Sequence, residues 1–317
     1  MTPDAGLAVI VSVVIPAYNA ARFIERTLET VRIQTFQGHE TVVVDDGSID
    51  GTSDVVQAYL SRHGMNGRLL RQENRGMAAA RNTGMRAANG TYVALLDSDD
   101  LWYPEKLAVM MAEFDRHPGA DLICHDENIS RDGKVVRVSR RRLPRGNLYE
   151  ALLFGGNLLS PSATIVKRDS ALALGGFDER REYLTVEDYD FWMRFSRLRQ
   201  IRFLDRVLGE YVLGDHSASR RIVFHHHALE GMLREHLSAY LQSHSGLAAR
   251  LRVRRRLAKV YRSAARQLIE HREGAQDQQA FVGRMLRTYP LEPRNVAVAL
   301  MWLAETLRPL PEGAAKS

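Results

Sequence analysis

The chain contains almost no cysteine, and what it lacks limits the kinds of protein it can be. Its 317 residues include one cysteine, Cys124, which excludes an intramolecular disulfide and a cysteine-rich zinc site and is typical of a reducing compartment. No apolar run reaches the roughly 18 residues that a membrane-spanning helix needs. The stretch VAVALMWLA, 296–304, is far too short. We therefore expect a cytoplasmic protein without a spanning helix.

The chain also lacks the features of an N-terminal signal peptide. The apolar stretch LAVIVSVVI, 7–15, has no basic residue before it, is preceded by Asp4, and continues into Pro16 instead of a small-residue cleavage site. We interpret this stretch as the first strand of the fold.

Charge is unevenly distributed along the chain. The net charge is +6, but residues 216–317 carry +9, which leaves −3 for residues 1–215. The contents of 45% hydrophobic and 26% charged residues are those of an ordinary globular protein, long enough for one large domain or two smaller ones. The asymmetry predicts an acidic part suited to catalysis and a basic C-terminal part.

The first hundred residues alternate between strand and helix patterns. The β-branched runs VSVVIPAY and TVVVDD read as strands, and ARFIERTLETVRIQ between them has Ile24, Leu28 and Val31 at helical spacing. Such alternation favours a parallel, doubly wound α/β sheet, in which ligands bind outside the carboxyl ends of the strands. Beyond about residue 220 the pattern is helical to the end.

Carboxylates follow two of these predicted strands. TVVVDD ends in Asp45 and Asp46, and ALLDSDD ends in Asp97, Asp99 and Asp100. Both clusters therefore face the same edge of the sheet. A D-x-D at a strand end suits Mg²⁺ or Mn²⁺, which prefer carboxylate oxygens and complete their shells with water and substrate phosphates. Taken alone, the same residues also fit a plain turn and an acidic loop that caps the next helix.

Six segments lie in order along the chain: PAYN (16–19), VVDDGSIDGT (43–52), NRGMAAARNTG (74–84), ALLDSDDLWYP (94–104), GGFDE (175–179) and VEDYDFW (186–192). Together they resemble the family 2 inverting glycosyltransferases, from residue 9 to about 219. The resemblance implies an α/β fold of GT-A type: a mainly parallel, doubly wound nucleotide-binding sheet with a helical C-terminal extension. It implies sugar transfer from a nucleotide diphospho-sugar to an acceptor hydroxyl, with inversion and usually with Mg²⁺ or Mn²⁺.

The same resemblance assigns the donor side of the site. It places Pro16, Tyr18 and Asp46 around the base and ribose of the nucleotide, with Asp46 accepting from a uracil-like imide and Tyr18 stacking on the ring. It makes Asp99 the direct metal ligand, and Asp97 a contact to the ribose or to a metal-bound water. These are expectations carried by the family pattern.

The resemblance also assigns the chemistry. It makes Asp188 the base that takes the proton of the acceptor hydroxyl, at a helix start that favours the ionised form; the alternative is that Glu187 and Asp188 are ordinary helix-start charges. Arg81 is a contact to the donor diphosphate, a support for the acidic loop, or a surface arginine. His216 matches loosely as a third metal ligand or diphosphate contact, and Asp100 is expected to be structural.

These observations predict two domains. Residues 1–219 form the glycosyltransferase domain, with a nucleotide-sugar half at about 9–103 and an acceptor half at about 104–219, and residues 220–317 form a basic helical region. The arginine-rich helix in LAARLRVRRRLAKVYRSAARQL lies on an anionic membrane surface, contacts an acidic partner, or is a solvated face. Nucleic acid is not expected as a partner, since no recognition motif accompanies the charge.

The sequence therefore predicts an inverting, metal-dependent glycosyltransferase that uses a nucleotide diphospho-sugar, UDP being the commonest carrier while dTDP and GDP stay open. Its expected role is cell-surface polysaccharide or glycoconjugate synthesis, in the cytoplasm or at the inner face of the membrane. The acceptor is a saccharide, a lipid-linked glycan or a protein. The alternatives are a sugar-nucleotidyltransferase, which the glycine-free loop PAYNAARF disfavours, and a non-catalytic nucleotide-sugar-binding module.

Overall fold

The computed structural model describes residues 9–142, 144–213, 222–272 and 274–306. The chain divides into two compact units, Met1–Ser217 and Ala218–Ser317. His216, predicted as a metal or diphosphate ligand, lies outside the described residues.

The first unit is built around one nine-stranded sheet, with strand order β3-β2-β1-β4-β8-β6-β9-β5 and with β7 paired to β6. The strands are Val11–Ala17 (β1), His39–Asp45 (β2), Gly67–Arg71 (β3), Tyr92–Leu95 (β4), Leu101–Trp102 (β5), Leu122–Arg131 (β6), Lys134–Ser139 (β7), Thr164–Lys167 (β8) and Ile201–Val212 (β9).

Strand direction changes across this sheet. β1 pairs in parallel with β2 and β4, and β2 pairs in parallel with β3. β8 is antiparallel to both β4 and β6, whereas β6 and β9 are parallel. The predicted α/β class is confirmed: the neighbouring strands β3, β2, β1 and β4 form the parallel part that the alternating pattern predicted, and the later strands make the sheet mixed.

Seven α-helices accompany the sheet in the described part of the first unit. α1 buries Ile24, Leu28 and Val31, the positions that the helical spacing predicted, against a core shared with Val13 and Ile15 of β1. The helices are Ile24–Arg32 (α1), Thr52–Arg62 (α2), Met77–Ala87 (α3), Lys106–Arg116 (α4), Leu148–Gly155 (α5), Arg168–Ala173 (α6) and Glu187–Leu198 (α7).

The aromatic residues of α7 belong to the core. Phe191 and Trp192 are fully buried, and the Phe191 ring stacks on Phe177 with centroids 4.4 Å apart. This packing holds the first turn of α7, which begins at Glu187, against the turn that contains Phe177. Phe191 and Trp192 are therefore residues of the core.

The second unit is helical, as predicted. α8, α10 and α11 each contact α9, and the residues buried among them include Leu233, Leu257 and Phe281. None of the described helices is both long and apolar enough to cross a membrane. The four helices are Ile222–Ser243 (α8), Leu247–His271 (α9), Ala275–Thr288 (α10) and Pro293–Thr306 (α11).

Gly84 controls how closely α3 approaches β1, and we predict that Gly84→Ala destabilises the protein. A Cβ at this position would overlap Cγ1 of Val14, a branched side chain that cannot move aside freely. Overpacking of this kind costs about 1–3 kcal/mol, measurable by urea denaturation. Gly155→Ala is the matched control, because no atom lies within 4 Å of its Cβ position. Equal stabilities of the two variants would contradict the prediction.

Candidate active site

The loops that follow β1 and β2 are hydrogen-bonded to each other. The backbone N–H of Asn19 donates to Ser48 Oγ (2.9 Å), and Asn19 Oδ1 accepts from the N–H of Ile49 (3.1 Å). The N–H of Ala20 donates to Thr52 Oγ1 (2.8 Å). Asn19 has a φ of 49°, a left-handed conformation that asparagine tolerates. The segments PAYN and DDGSIDGT thus form one edge of the site.

The predicted nucleotide residues lie at this edge. Pro16 is buried within β1, and Tyr18 is about half exposed in the following loop. Asp46 is buried; its Oδ1 accepts from Gln72 Nε2 (2.7 Å), and its Oδ2 accepts from the N–H of Gly76 (2.7 Å). Asp46 therefore ties the end of β2 to the turn that opens α3. Its contact to a nucleotide base stays a prediction.

Arg81 of α3 joins the two acidic motifs. Its guanidinium is 3% exposed, and it donates through Nη2 to Asp97 Oδ1 (2.7 Å) and through Nη1 to Glu187 Oε1 (2.8 Å). The interpretation as a surface arginine is wrong, because the side chain is buried. Arg81 supports the acidic loop, one of the roles that the resemblance allowed, and its contact to a donor diphosphate stays a prediction.

The D-x-D loop is anchored through its backbone and through Asp100. The N–H of Asp97 donates to Ser162 Oγ (3.0 Å). The Thr27 hydroxyl contacts the carbonyls of Ser98 (2.8 Å) and Asp100 (3.0 Å). Asp100 is buried, and its Oδ1 accepts from the N–H of Val212 (2.9 Å). Asp100 is structural, as expected.

Two carboxyl groups of the loop have raised pKa values. Burial and the neighbouring charge of Asp97 raise the pKa of Asp99 to about 6. Burial, Asp99 and Asp97 raise the pKa of Asp100 well above its usual value. Burial is the larger cause for both carboxyl groups, and the neighbouring negative charges add to it.

Asp188 lies in the first turn of α7, next to Glu187. Its Oδ2 accepts from Asn157 Nδ2 (3.1 Å), and its Oδ1 accepts from the N–H of Tyr189 (2.7 Å). Burial and the charge of Glu187 raise the pKa of Asp188 to about 7, against the opposing effect of Arg81. A carboxyl group that titrates near neutral pH in such a site suits a general base.

The GGFDE turn is fixed to α3 by Asn82. Asn82 Nδ2 donates to the carbonyl of Phe177 (2.8 Å) and to Glu179 Oε1 (2.8 Å), and its Oδ1 accepts from the N–H of Phe177 (2.8 Å). Asp178 accepts from the N–H of Arg180 (2.9 Å), as a turn residue does. Arg81 and Asn82, adjacent on one helix, thus position the acidic loop and the GGFDE turn together.

Two residues at the site, Ser162 and Asn157, carried no sequence signal, and Tyr211 also lies near it. Ser162 accepts from the Asp97 N–H through Oγ, and its carbonyl accepts from Trp102 Nε1 (2.8 Å). Asn157 donates to Asp188. Tyr211, near the end of β9, has a raised pKa because of burial and the nearby charges of the D-x-D carboxylates. No local pattern marks Ser162 or Asn157, since their partners are distant in the chain.

The residues present fit a divalent cation only with a donor phosphate to complete the shell. Asp97 and Asp99 are neighbouring carboxylates, and the pKa of Asp99 is raised by burial and by the negative charge of Asp97. In the part of the chain that the structure describes, no group of three His, Cys, Asp or Glu side chains is placed to hold a metal ion. Mg²⁺ and Mn²⁺ sites built on one or two carboxylates plus substrate phosphates are common.

Comparison with known proteins agrees with this arrangement. Residues 12–173 match the family described as "Glycosyl transferase family 2". An uncharacterized glycosyltransferase of Rickettsia prowazekii is 31% identical over 210 residues, 63% of this chain and 62% of the relative. The amylovoran biosynthesis glycosyltransferase AmsB of Erwinia amylovora is 34% identical over 197 residues, 59% of this chain and 64% of AmsB. The matches thus span less than two thirds of these relatives.

Solved structures share the fold. The TarS fragment 1–349 of Staphylococcus aureus in complex with UDP-GlcNAc superposes with a TM-score of 0.65 at 20% identity, covering 93% of this chain and 89% of that one. The mannosyltransferase PcManGT of Pyrobaculum calidifontis, in complex with GDP-Man and Mn²⁺, gives a TM-score of 0.58 at 19% identity, covering 93% and 85%. The predicted GT-A fold is confirmed.

We predict that Arg81→Ala destabilises the protein by about 3–5 kcal/mol, because it leaves two carboxylates in a largely buried site without their cation. Chemical denaturation at neutral pH measures the loss. The control is Arg75→Ala: Arg75 makes a short ion pair with Glu179 (2.5 Å), but its side chain is 57% exposed, so the cost should stay within about 1 kcal/mol. Similar losses in both variants would contradict the bridging role.

We predict that Asp188→Asn raises the melting temperature at pH 8 but not near pH 4. The pKa of Asp188 is about 7 in the folded protein against 3.8 for the free side chain. The folded state therefore holds the proton more tightly, and stability falls as the pH rises from about 4 to about 7. Asparagine carries no charge and removes that loss, so the melting temperature at pH 8 should rise by about 2 °C or more.

Thermal melts of the metal-free protein at the two pH values check this prediction. The control is Asp169→Asn, whose carboxyl is fully exposed and should show no such difference. An Asp188→Asn effect of the same size at both pH values would mean that the carboxyl does not change charge in this range.

Proposed function

The chain belongs to glycosyltransferase family 2, and from this membership we propose that it transfers a sugar from a nucleotide diphospho-sugar to an acceptor hydroxyl with inversion at the anomeric carbon. The proposal rests mainly on one observation. Arg81 binds Asp97 of the D-x-D loop and Glu187 of the E-D pair at once, so that the donor-side carboxylates and Asp188 belong to a single site.

In the proposed reaction, Asp188 is the base. The acceptor oxygen attacks the anomeric carbon while its proton moves to the Asp188 carboxylate. The bond between the anomeric carbon and the diphosphate oxygen breaks, and the nucleoside diphosphate leaves with the electron pair. Asn157 supports this role because its amide donates to Asp188 Oδ2 and restricts the rotation of the carboxylate. A pKa of about 7 leaves the group substantially ionised at neutral pH yet basic enough to take a proton.

On the donor side, we propose that Asp99, with Asp97, holds Mg²⁺ or Mn²⁺, and that His216 is a candidate third ligand. When bound, the cation neutralises charge that develops on the leaving diphosphate. Pro16, Tyr18 and Asp46 are proposed to surround the nucleoside. A UDP-sugar is the favoured donor, because the fold is that of TarS, whose structures hold UDP and UDP-GlcNAc; PcManGT, with GDP-Man, keeps the purine alternative open.

The proposed process is the synthesis of a cell-surface polysaccharide or glycoconjugate. It is supported by the likeness to AmsB, named for amylovoran biosynthesis, and to the chondroitin synthase of Escherichia coli, which is 28% identical over 221 residues, 67% of this chain and 30% of the synthase. We place the reaction in the cytoplasm or at the inner face of the membrane. The nucleotide-sugar half at 9–103, the acceptor half at 104–219 and the basic region at 220–317 are part of this proposal.

The donor assignment is tested by thermal shift with UDP, dTDP, GDP and CDP, each with and without Mn²⁺. We expect one nucleotide to stabilise the wild type only with the metal, by about 3 kcal/mol at a hundred times its Kd. Asp99→Ala should lose this shift, and the control Asp169→Asn should keep it. No shift with any nucleotide would overturn the donor site.

The base assignment is tested by Asp188→Asn with the nucleotide-sugar identified in that panel. We expect nucleotide binding to persist, and turnover of the donor, followed as release of nucleoside diphosphate, to fall by at least about a hundredfold. Turnover at the wild-type rate would show that Asp188 is not the base, while leaving the nucleotide site intact.

A further inference from the structure

Helix α11 presents an apolar face to solvent. Residues spaced by three, four and seven positions lie on the same side of a helix, and on α11 the exposed side is apolar after Arg294 in its first turn. The opposite side contains the buried residues Asn295 and Val298. A surface helix normally shows the reverse arrangement, with its polar face outward. The exposed residues are Val296, Ala297, Leu300, Met301, Leu303 and Ala304, with Leu300 61% exposed.

The turn before α11 extends this face. Leu291 is 88% exposed and lies beside an open hollow of about 370 Å³. Arg255 Nε at the hollow donates to Glu292 Oε2 (3.0 Å), and Arg294 is at its edge. The lining residues are Arg255, Tyr289, Leu291, Glu292, Pro293 and Arg294.

Positive charge surrounds the turn and exceeds the available carboxylate. Glu292 is shared between Arg255 (3.0 Å) and Arg262 (3.4 Å). Arg287 and Arg294 are exposed, and among the residues that the structure describes neither makes an ion pair. Both arginines are therefore available to bind an anion.

We propose that this surface, which consists of Leu291, the exposed face of α11, Arg287 and Arg294, docks the protein on a membrane of anionic phospholipids. Leucine side chains would enter the boundary between headgroups and acyl chains, and the arginines would contact lipid phosphates. A headgroup phosphate also suits the hollow beside Arg255 and Arg294, since guanidinium groups pair with phosphate.

Two other occupants fit the surface less well. A second copy of the chain, paired about a two-fold axis, would bring the same patch of arginines against itself. A soluble polyanion would pair with the arginines but leave the apolar face in water. An anionic bilayer would cover the apolar face and pair with the arginines at once. The arginine-rich helix α9 suits this contact less well, because Arg256 is buried and Arg255 and Arg262 pair with Glu292 within the unit.

The test is co-sedimentation of the full chain with phosphatidylcholine vesicles, with or without about one third phosphatidylglycerol. We expect binding only to the anionic vesicles. Leu291→Ser/Leu300→Ser should reduce the partition coefficient at least tenfold, since about three buried methylene equivalents are lost at each position. The control Leu198→Ser, at a position 70% exposed in the first unit, should bind like the wild type.

The charge component is tested by Arg287→Ser/Arg294→Ser, which should also reduce binding, against Arg26→Ser/Arg206→Ser, which removes two exposed arginines of the first unit. Unchanged binding of the Leu291/Leu300 variant, or absence of wild-type binding, would overturn the proposal. A dimer in light scattering that Leu300→Ser dissolves would overturn it in favour of a second copy. The assay uses no sugar donor, so its outcome is independent of the proposed transferase activity.

Discussion

The arrangement of the site depends on the guanidinium of Arg81, held between Asp97 and Glu187. These partners lie 16 and 106 positions away along the chain, on a strand-end loop and at the start of α7. A buried cation between two carboxylates resists displacement, because movement would leave a charge uncompensated away from water. The distance between the acidic loop and the E-D pair is thereby fixed, and Asp188, which follows Glu187, is held next to the proposed donor site.

The same constraint leaves the site short of positive charge. Arg81 is paired with Asp97 and Glu187, and burial together with neighbouring negative charge raises the pKa values of Asp99 and Asp188 to about 6 and about 7. The free protein therefore carries an electrostatic cost at this site. A cation and a diphosphate donor would reduce it for Asp99, while Asp188, on the other side of Arg81, keeps the basicity that proton transfer needs. Active sites commonly reduce the folding stability of a protein because their function requires unfavourable local interactions.

In the second unit, the distribution of charge along the sequence and the exposure of apolar side chains point to different helices. Its most basic helix, α9, uses Arg255 and Arg262 inside the unit, where they share Glu292, and Arg254 Nε donates to the carbonyl of Thr288 (2.8 Å). Its most apolar exposed helix, α11, turns leucines toward water. Charge content alone would place the proposed membrane-docking surface on α9, whereas the exposed apolar side chains place it on α11.

The sequence by itself determined the features that depend on neighbouring residues. Helical spacing identified the buried face of α1, the β-branched runs gave the strands that end at Ala17 and Asp45, and the ordered motifs indicated the family, since hydrophobic period and turn chemistry are local properties. Tertiary structure alone decided that Arg81 is buried, that Ser162 receives the N–H of Asp97, and that Leu300 faces outward. Each of these features depends on residues far along the chain. Packing between distant segments decides which side chains are buried, and a short window of sequence does not record that packing.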